Sequence, residues 1–263
     1  MATKFNGHFD LVGKGHPILC IPGFGNSNWV FNKLADRLQQ HFTLVLPDNR
    51  GMGKSPPAFQ PYLLQDLTQD CLNLMDDLGY ENFSVIGLSM GGFVAQLLSL
   101  QASKRVKSLA LLCATSSGEE FNKIFPSLSE EQVKGIYCLD AEQRIKAALS
   151  QAICPLLATQ YPDAYQYVLE QRIKDQENPA QVMLQFYAVN KFLPNRISLE
   201  NIICPTLVMT GDTDPLVPMP NAELLVKKIP KANLSVISDT DHLFFLEKEA
   251  EVAVKLSKFF SQF

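Results

Sequence analysis

The sequence predicts an α/β protein: a mostly parallel, doubly wound sheet with one helical insertion. Short apolar runs recur along the chain with amphipathic helix patterns between them. The runs are continuous, as strands covered on both faces require. The alternation stops once, over residues 117–196, where only helix patterns occur.

In chain order, 5–12 reads as a leading hairpin strand. Strands follow at 17–21 (PILCI), 42–46 (FTLVL), 83–87 (FSVIG) and 107–112 (KSLALL), separated by helix patterns at 29–40, 62–78 and 90–102. The insertion carries helical stretches at 128–137, 140–153, 162–176 and 179–192, punctuated by Pro126, Pro155, Pro162, Pro179 and Pro194. Asp140, followed three residues later by Gln143, resembles a capping box. The strand rhythm resumes at Ile202 with 206–210 (TLVMT) and 233–237 (NLSVI), and helices fall at 219–228 and 247–262. An immediate resumption implies one core, 1–116 with 197–263, carrying a helical cap at 117–196.

Composition narrows the function. With 263 residues, 46% hydrophobic, and a net charge of −4, the chain has enough apolar matter for a large core and is unlike a disordered one. A mildly acidic balance gives no footprint for nucleic acid or an anionic membrane. Met1 to His16 lacks the charged, apolar, small-residue pattern of a signal peptide. Apolar runs such as Leu109 to Ala114 fall far short of the ~18 residues of a membrane span. Cys20, Cys71, Cys113, Cys138, Cys154 and Cys204 are scattered with no C-x-x-C pair, and read as buried reduced thiols. A cytoplasmic location is the default expectation.

The chemistry concentrates at 83–92, FSVIGLSMGG. A buried strand enters Gly87-Leu88-Ser89-Met90-Gly91 and a helix leaves it, the context that G-x-S-x-G needs. Glycines two before and two after the serine allow a turn sharp enough to expose its hydroxyl. A nucleophilic serine needs a base, and the base an orienting acid. Only His242 follows Ser89; His8, His16 and His41 read as surface or turn residues. The acid belongs at the end of an intervening strand, where Gly211-Asp212-Thr213-Asp214-Pro215 offers two carboxylates. Asp214 is the better candidate, because the chain can turn before the carboxylate points inward; Asp212 competes, and would otherwise serve loop amides or solvent. Asp239 and Asp241 stand too close to His242 and read as turn residues. The Met90 and Phe24 amides are the candidate oxyanion donors, the first at a helix N-terminus, the second in the Pro22-Gly23-Phe24-Gly25 loop. Trp29 reads as helix packing. Nothing resembles a metal-ligand pattern, so neither metal nor cofactor is expected.

Taken together, P-G-F-G at 22–25, D-N-R-G-M-G-K-S at 48–55, G-L-S-M-G-G at 87–92, G-D-T-D-P at 211–215 and D-H at 241–242 resemble the α/β-hydrolase superfamily over essentially the whole chain. The resemblance implies Ser89 as nucleophile, His242 as base, Asp214 as acid, and the Phe24 and Met90 amides as oxyanion hole. It implies structural roles for Asp48 and Arg50, and a lid at 117–196 inserted after the sixth strand. Pro22-Gly23 stands where the family often has His-Gly; a backbone donor survives that change. Haloalkane dehalogenases and epoxide hydrolases carry Asp at the elbow, which Ser89 argues against. The pattern is similar to small lidded serine carboxylesterases, enol-lactonases and pimeloyl-carrier-protein methyl ester esterases; carbon–carbon bond hydrolases and cofactor-free perhydrolases share the triad. A non-catalytic small-ligand receptor on the same fold, and an acyl transferase, are the readings of other classes.

The expected substrate is a small, largely apolar ester, lactone or thioester. Leu88, Phe121, Phe125, Phe186 and Leu216 are the residues expected to line its pocket, although Phe121, Phe125, Phe186, Tyr187 and Phe192 fit ordinary packing equally well. The cap has eight basic and ten acidic residues, so an acyl carrier protein as partner finds no strongly basic dock.

Overall fold

The computed structural model of the protein describes residues 4–150 and 155–263. Seven strands form one sheet: β1 (Phe9–Gly13), β2 (His16–Ile21), β3 (Phe42–Pro47), β4 (Phe83–Leu88), β5 (Val106–Leu112), β6 (Thr206–Gly211) and β7 (Ala232–Ile237). Their order is β1-β3-β2-β4-β5-β6-β7, parallel except for β1. The expected leading hairpin does not form. Both edges of β2 are taken by β3 and β4, so β1 pairs antiparallel with the outer edge of β3, from Phe9 opposite Pro47 to Gly13 opposite Thr43.

The helices are α1 (Asn32–Leu38), α2 (Leu64–Asp77), α3 (Met90–Gln101), α4 (Glu119–Asn122), α5 (Glu130–Tyr137), α6 (Ala141–Ala148), α7 (Leu157–Gln160), α8 (Pro162–Lys174), α9 (Pro179–Phe192), α10 (Pro220–Lys228), α11 (Phe244–Glu247) and α12 (Glu249–Phe260). Side chains alternate along each strand, and they sort into two cores. Leu19, Val45, Val85, Leu109 and Val208 face the layer of α2, α3 and α10. Ile18, Leu44, Ile86, Ala110 and Met209 face the layer of α1 and α12. Both faces are therefore dry, which is why the central strands read as unbroken apolar runs.

Between β5 and β6 the described residues form helices and turns, with no strand. In the chain's own count this stretch follows the fifth strand; six belonged to the family's numbering. Ser129 and Gln132 make the full capping box, whereas Asp140 supplies only the N-cap half, Oδ1 accepting the Gln143 amide at 2.8 Å. The expected helix at 140–153 runs to Ala148, and residues 151–154 with Cys154 lie outside the described residues. The other five cysteines carry free thiols, and of these only Cys138 is exposed. Among the described residues no helix is long and apolar enough to cross a membrane.

Candidate active site

β4 delivers Ser89 and α3 leaves from it. Ser89 has φ 51° and ψ −115°, a backbone that costs energy for any residue but glycine. The surrounding bonds hold it there: its N–H donates to Leu112 O at 2.9 Å and its C=O accepts from Gly92 N at 2.8 Å. The flanking glycines are steric necessities. A Cβ on Gly91 would lie 2.2 Å from the Ile21 carbonyl oxygen, and one on Gly87 would lie 2.6 Å from Ala95 Cβ and 2.7 Å from the Gly91 carbonyl across the turn.

The structure brings Ser89, His242 and Asp214 together although 153 residues separate the first two. His242 Nε2 is 3.2 Å from Ser89 Oγ, and its Nδ1 is 2.8 Å from Asp214 Oδ2. Asp214 is buried, and its Oδ1 accepts the Leu216 amide at 2.8 Å and the Val217 amide at 2.9 Å. Burial pulls the His242 imidazole pKa down, but the Asp214 carboxylate outweighs it and holds the group well above its ordinary value. The Cys113 thiol lies against the same ring; burial pushes its own pKa up, so it stays neutral there. Asp212 is elsewhere: exposed, it accepts the Asp239 and Thr240 amides at 3.0 and 3.2 Å and ties the β6 and β7 loops together.

Phe24 and Met90 line the same cavity as Ser89. Their amides find no acceptor among the described residues, Met90 because it opens α3. Two cavities meet at Ser89 and His242. One, of about 160 Å³, is lined by Phe24, Phe93, Phe125, Phe186, Leu193 and Val217. The other, of about 190 Å³, is lined by Trp29, Leu88, Tyr137, Val168, Arg172 and Phe245. Phe24, Leu128, Val133 and Leu216 border both. A larger cleft of about 450 Å³, over residues 55–62, contains none of the three.

Four of the five expected pocket residues, Leu88, Phe125, Phe186 and Leu216, are therefore at a cavity. Phe121 is not: it is 2% exposed and packs into the core, because the short α4 turns its one aromatic inward directly after β5. Phe192 packs against Phe93 with ring centroids 5.2 Å apart, and the exposed Tyr187 donates its hydroxyl to Glu130. Trp29 packs edge-on against Tyr167 and also lines the second cavity.

Asp48 is buried, and its carboxylate gathers the amides of Asn28 and Lys54 and the ring of His8. Arg50 makes a two-pronged bond to Asp70, both at 2.7 Å. Two histidines are less idle than expected. His8 is bound to Asp48, and His16 Nε2 is 2.9 Å from Ser84 Oγ, which continues to Ser108 Oγ inside the sheet. Asp241 is more than a turn residue: fully buried, it accepts the Leu156 and Leu243 amides, and its own N–H donates to Glu247.

Comparison with known proteins agrees with this architecture. A poly(3-hydroxyalkanoate) depolymerase of Ectopseudomonas oleovorans is 27% identical over 95% of this chain and 87% of its own. Among solved structures, the enol-lactonase from Burkholderia xenovorans LB400 matches with a TM-score of 0.84 at 20% identity, covering 97% of this chain and 96% of that one. An esterase from Thermogutta terrifontis matches with a TM-score of 0.82 at 21% identity, covering 99% and 98%. At such identities the two structures speak for the fold alone. A family model described as alpha/beta hydrolase fold matches residues 16–249, and the chain belongs to that family.

Proposed function

We propose that the protein is a serine hydrolase that cleaves a carboxylic ester, or the related lactone or thioester, of a small and largely apolar substrate through an acyl-enzyme on Ser89. One observation carries this reading: the Ser89 hydroxyl lies within hydrogen-bonding reach of a buttressed imidazole where two mostly apolar cavities meet. The sequence similarity to a poly(3-hydroxyalkanoate) depolymerase supports it.

In this reading neutral His242 accepts the Ser89 proton at Nε2 as Oγ attacks the carbonyl carbon. Asp214, fixed by two backbone amides, keeps the Nδ1 proton in place and stabilises the imidazolium that forms. The Phe24 and Met90 amides receive the developing oxyanion. His242 then returns its proton to the leaving alkoxide, and a water activated by the same nitrogen releases the acid. The segment 117–196 serves as the lid: its Phe125, Leu128 and Phe186 roof the first cavity and its Tyr137, Val168 and Arg172 the second. The acyl group and the leaving group then occupy one cavity each. The segment's excess of acidic residues favours a free small molecule over an acidic carrier protein as substrate.

The test is hydrolysis of short p-nitrophenyl esters by the wild type and by Ser89→Ala, with labelling by a fluorophosphonate. Turnover by the wild type, loss of about 10³-fold or more in Ser89→Ala, and label on Ser89 are expected. A wild type that neither turns over nor labels, yet is strongly stabilised by a small apolar ligand, would replace the hydrolase with a receptor.

A further inference from the structure

The turn that carries the Phe24 amide is held from outside. In Gly23–Asn26, the Asn26 N–H donates to the Gly23 carbonyl at 3.3 Å and the Asn26 Nδ2 donates to the Phe24 carbonyl at 3.0 Å. The buried Gly25 N–H donates to Gln185 Oε1 at 2.7 Å. Phe24 C=O and Gly25 N–H are the two polar ends of one peptide unit, so that unit is gripped at both. Gly23 C=O belongs to the unit whose N–H is Phe24's, and bonding that carbonyl turns the N–H the opposite way, free of any acceptor among the described residues.

Two of the side chains that set this arrangement come from the helical segment. Gln185 is fully buried on α9, and Arg172 on α8 donates through Nη2 to Asn26 Oδ1 at 3.0 Å, so it fixes which way the Asn26 amide faces. Arg172 is itself paired with Glu177, and Ser27 with Asp175, so α8 and the turn after it reach the same loop. α9 is equally firmly placed: one turn before Gln185, Gln181 bonds both the N–H and the C=O of Ala58. The loop needs such a grip. Glycines on both sides of Phe24 leave its two peptides easy to rotate, and Gly25 already has φ +64°. Among the described residues the Gln185 amide nitrogen is buried without a partner. A fully buried glutamine that leaves its nitrogen unsatisfied costs stability, and its oxygen goes to the residue beside the oxyanion donor.

We propose that Gln185 and Arg172 are positioning residues, which lock the Phe24 N–H toward the substrate carbonyl from the helical segment. The inference rests on the serine-hydrolase reading of Ser89 and gives the segment a part in the chemical step beyond covering the cavity.

The experiment compares wild type, Gln185→Leu, which removes the acceptor, and Gln185→Glu, which keeps an oxygen there. Three quantities are measured: kcat and KM on an ester the wild type cleaves, the affinity of a boronic acid that forms a tetrahedral adduct on Ser89, and amide hydrogen exchange at Gly25. The expected result for Gln185→Leu is a loss of about 10- to 100-fold in kcat with KM within about twofold, and a parallel loss in boronic acid affinity. Gly25 exchange rises about tenfold or more, and Gln185→Glu recovers most of all three. Should Gln185→Leu fail to fold, Gln185→Met removes the same acceptor with an unbranched chain. Unchanged Gly25 exchange overturns the proposal, as does unchanged boronic acid affinity, or a Gln185→Glu variant as impaired as Gln185→Leu. A wild type inert toward esters and fluorophosphonate fails the hydrolase reading instead, while the exchange measurement still reports on the grip.

Discussion

Asp214 meets His242 through Oδ2 at 2.8 Å and spends its other oxygen on the Leu216 and Val217 amides. The carboxylate cannot rotate without orphaning two backbone donors, one of them buried, so it presents one fixed acceptor to Nδ1. An amide in its place has a single oxygen. If that oxygen keeps the two backbone donors, its NH₂ faces Nδ1 and forces the proton to Nε2, where the proposed reaction needs an acceptor for the Ser89 proton. Asp214→Asn is therefore expected to lose about 10⁴-fold in kcat. Asp212→Asn is expected to stay within a few-fold, since among the described residues the Asp212 carboxylate bonds loop amides and not His242. Steady-state kinetics on the two variants decides between the carboxylates; comparable losses in both would contradict the assignment.

The pH profile follows from the same pair. In the proposed reaction His242 accepts the serine proton only when neutral, and the Asp214 charge holds its pKa well above the ordinary imidazole value. Activity is therefore lost as pH falls through a value above ~6.5. Removing the charge in Asp214→Asn lets burial dominate, and the acid limb of kcat/KM is expected to move to lower pH. A limb that stays put in the variant would mean that Asp214 does not set it.

The sheet and the Ser89 turn were legible because their signals are local: continuous apolar runs for strands dry on both faces, and glycines flanking a serine between strand and helix. His242 was legible by count. Asp214 against Asp212 was open in the sequence, because both follow β6 within three residues and only the positions of Leu216, Val217, Asp239 and Thr240 separate them. The pairing of β1 with β3 depends on which edge is free, which no residue in 5–13 encodes. Arg172 and Gln185 reach Asn26 and Gly25 across 146 and 160 residues, and a glutamine on a helix leaves no trace of such a bond in periodicity. The inward turn of Phe121 is equally silent, since an aromatic suits a pocket and a core alike.

Gly91 gives a steric prediction. A methyl group there would lie 2.2 Å from the Ile21 carbonyl oxygen and 2.8 Å from that of Pro22, both backbone atoms that cannot swing away. Gly91→Ala must push α3 from β2 or unwind the turn at Ser89. A destabilisation of about 1–3 kcal/mol is expected, together with a fall in kcat because Ser89 and the Met90 amide move with the helix. Chemical denaturation and the Ser89 labelling rate check it. A variant of wild-type stability that labels at the wild-type rate would show that the turn has more slack than its contacts suggest.

Glu247 carries a stability prediction with a definite sign. Burial, aided by the hydrogen bond and charge of Asp241, pushes its carboxyl up from 4.5 to about 9. One oxygen accepts the Asp241 amide, and the other is buried without a partner among the described residues. Above pH 4.5 the unfolded chain gives up this proton, while the folded chain keeps it until about 9. The folded state thus binds more protons across that window, and stability present below 4.5 drains away as pH rises toward 9. The substitution Glu247→Gln keeps an acceptor for the Asp241 amide and cannot ionise. Its Tm is expected to match the wild type at pH 4 and to exceed it by roughly a few degrees at pH 8. Thermal melts at the two pH values measure the difference. A gap that is the same at both, or that opens toward acid, would show that Glu247 is ionised in the folded protein at neutral pH.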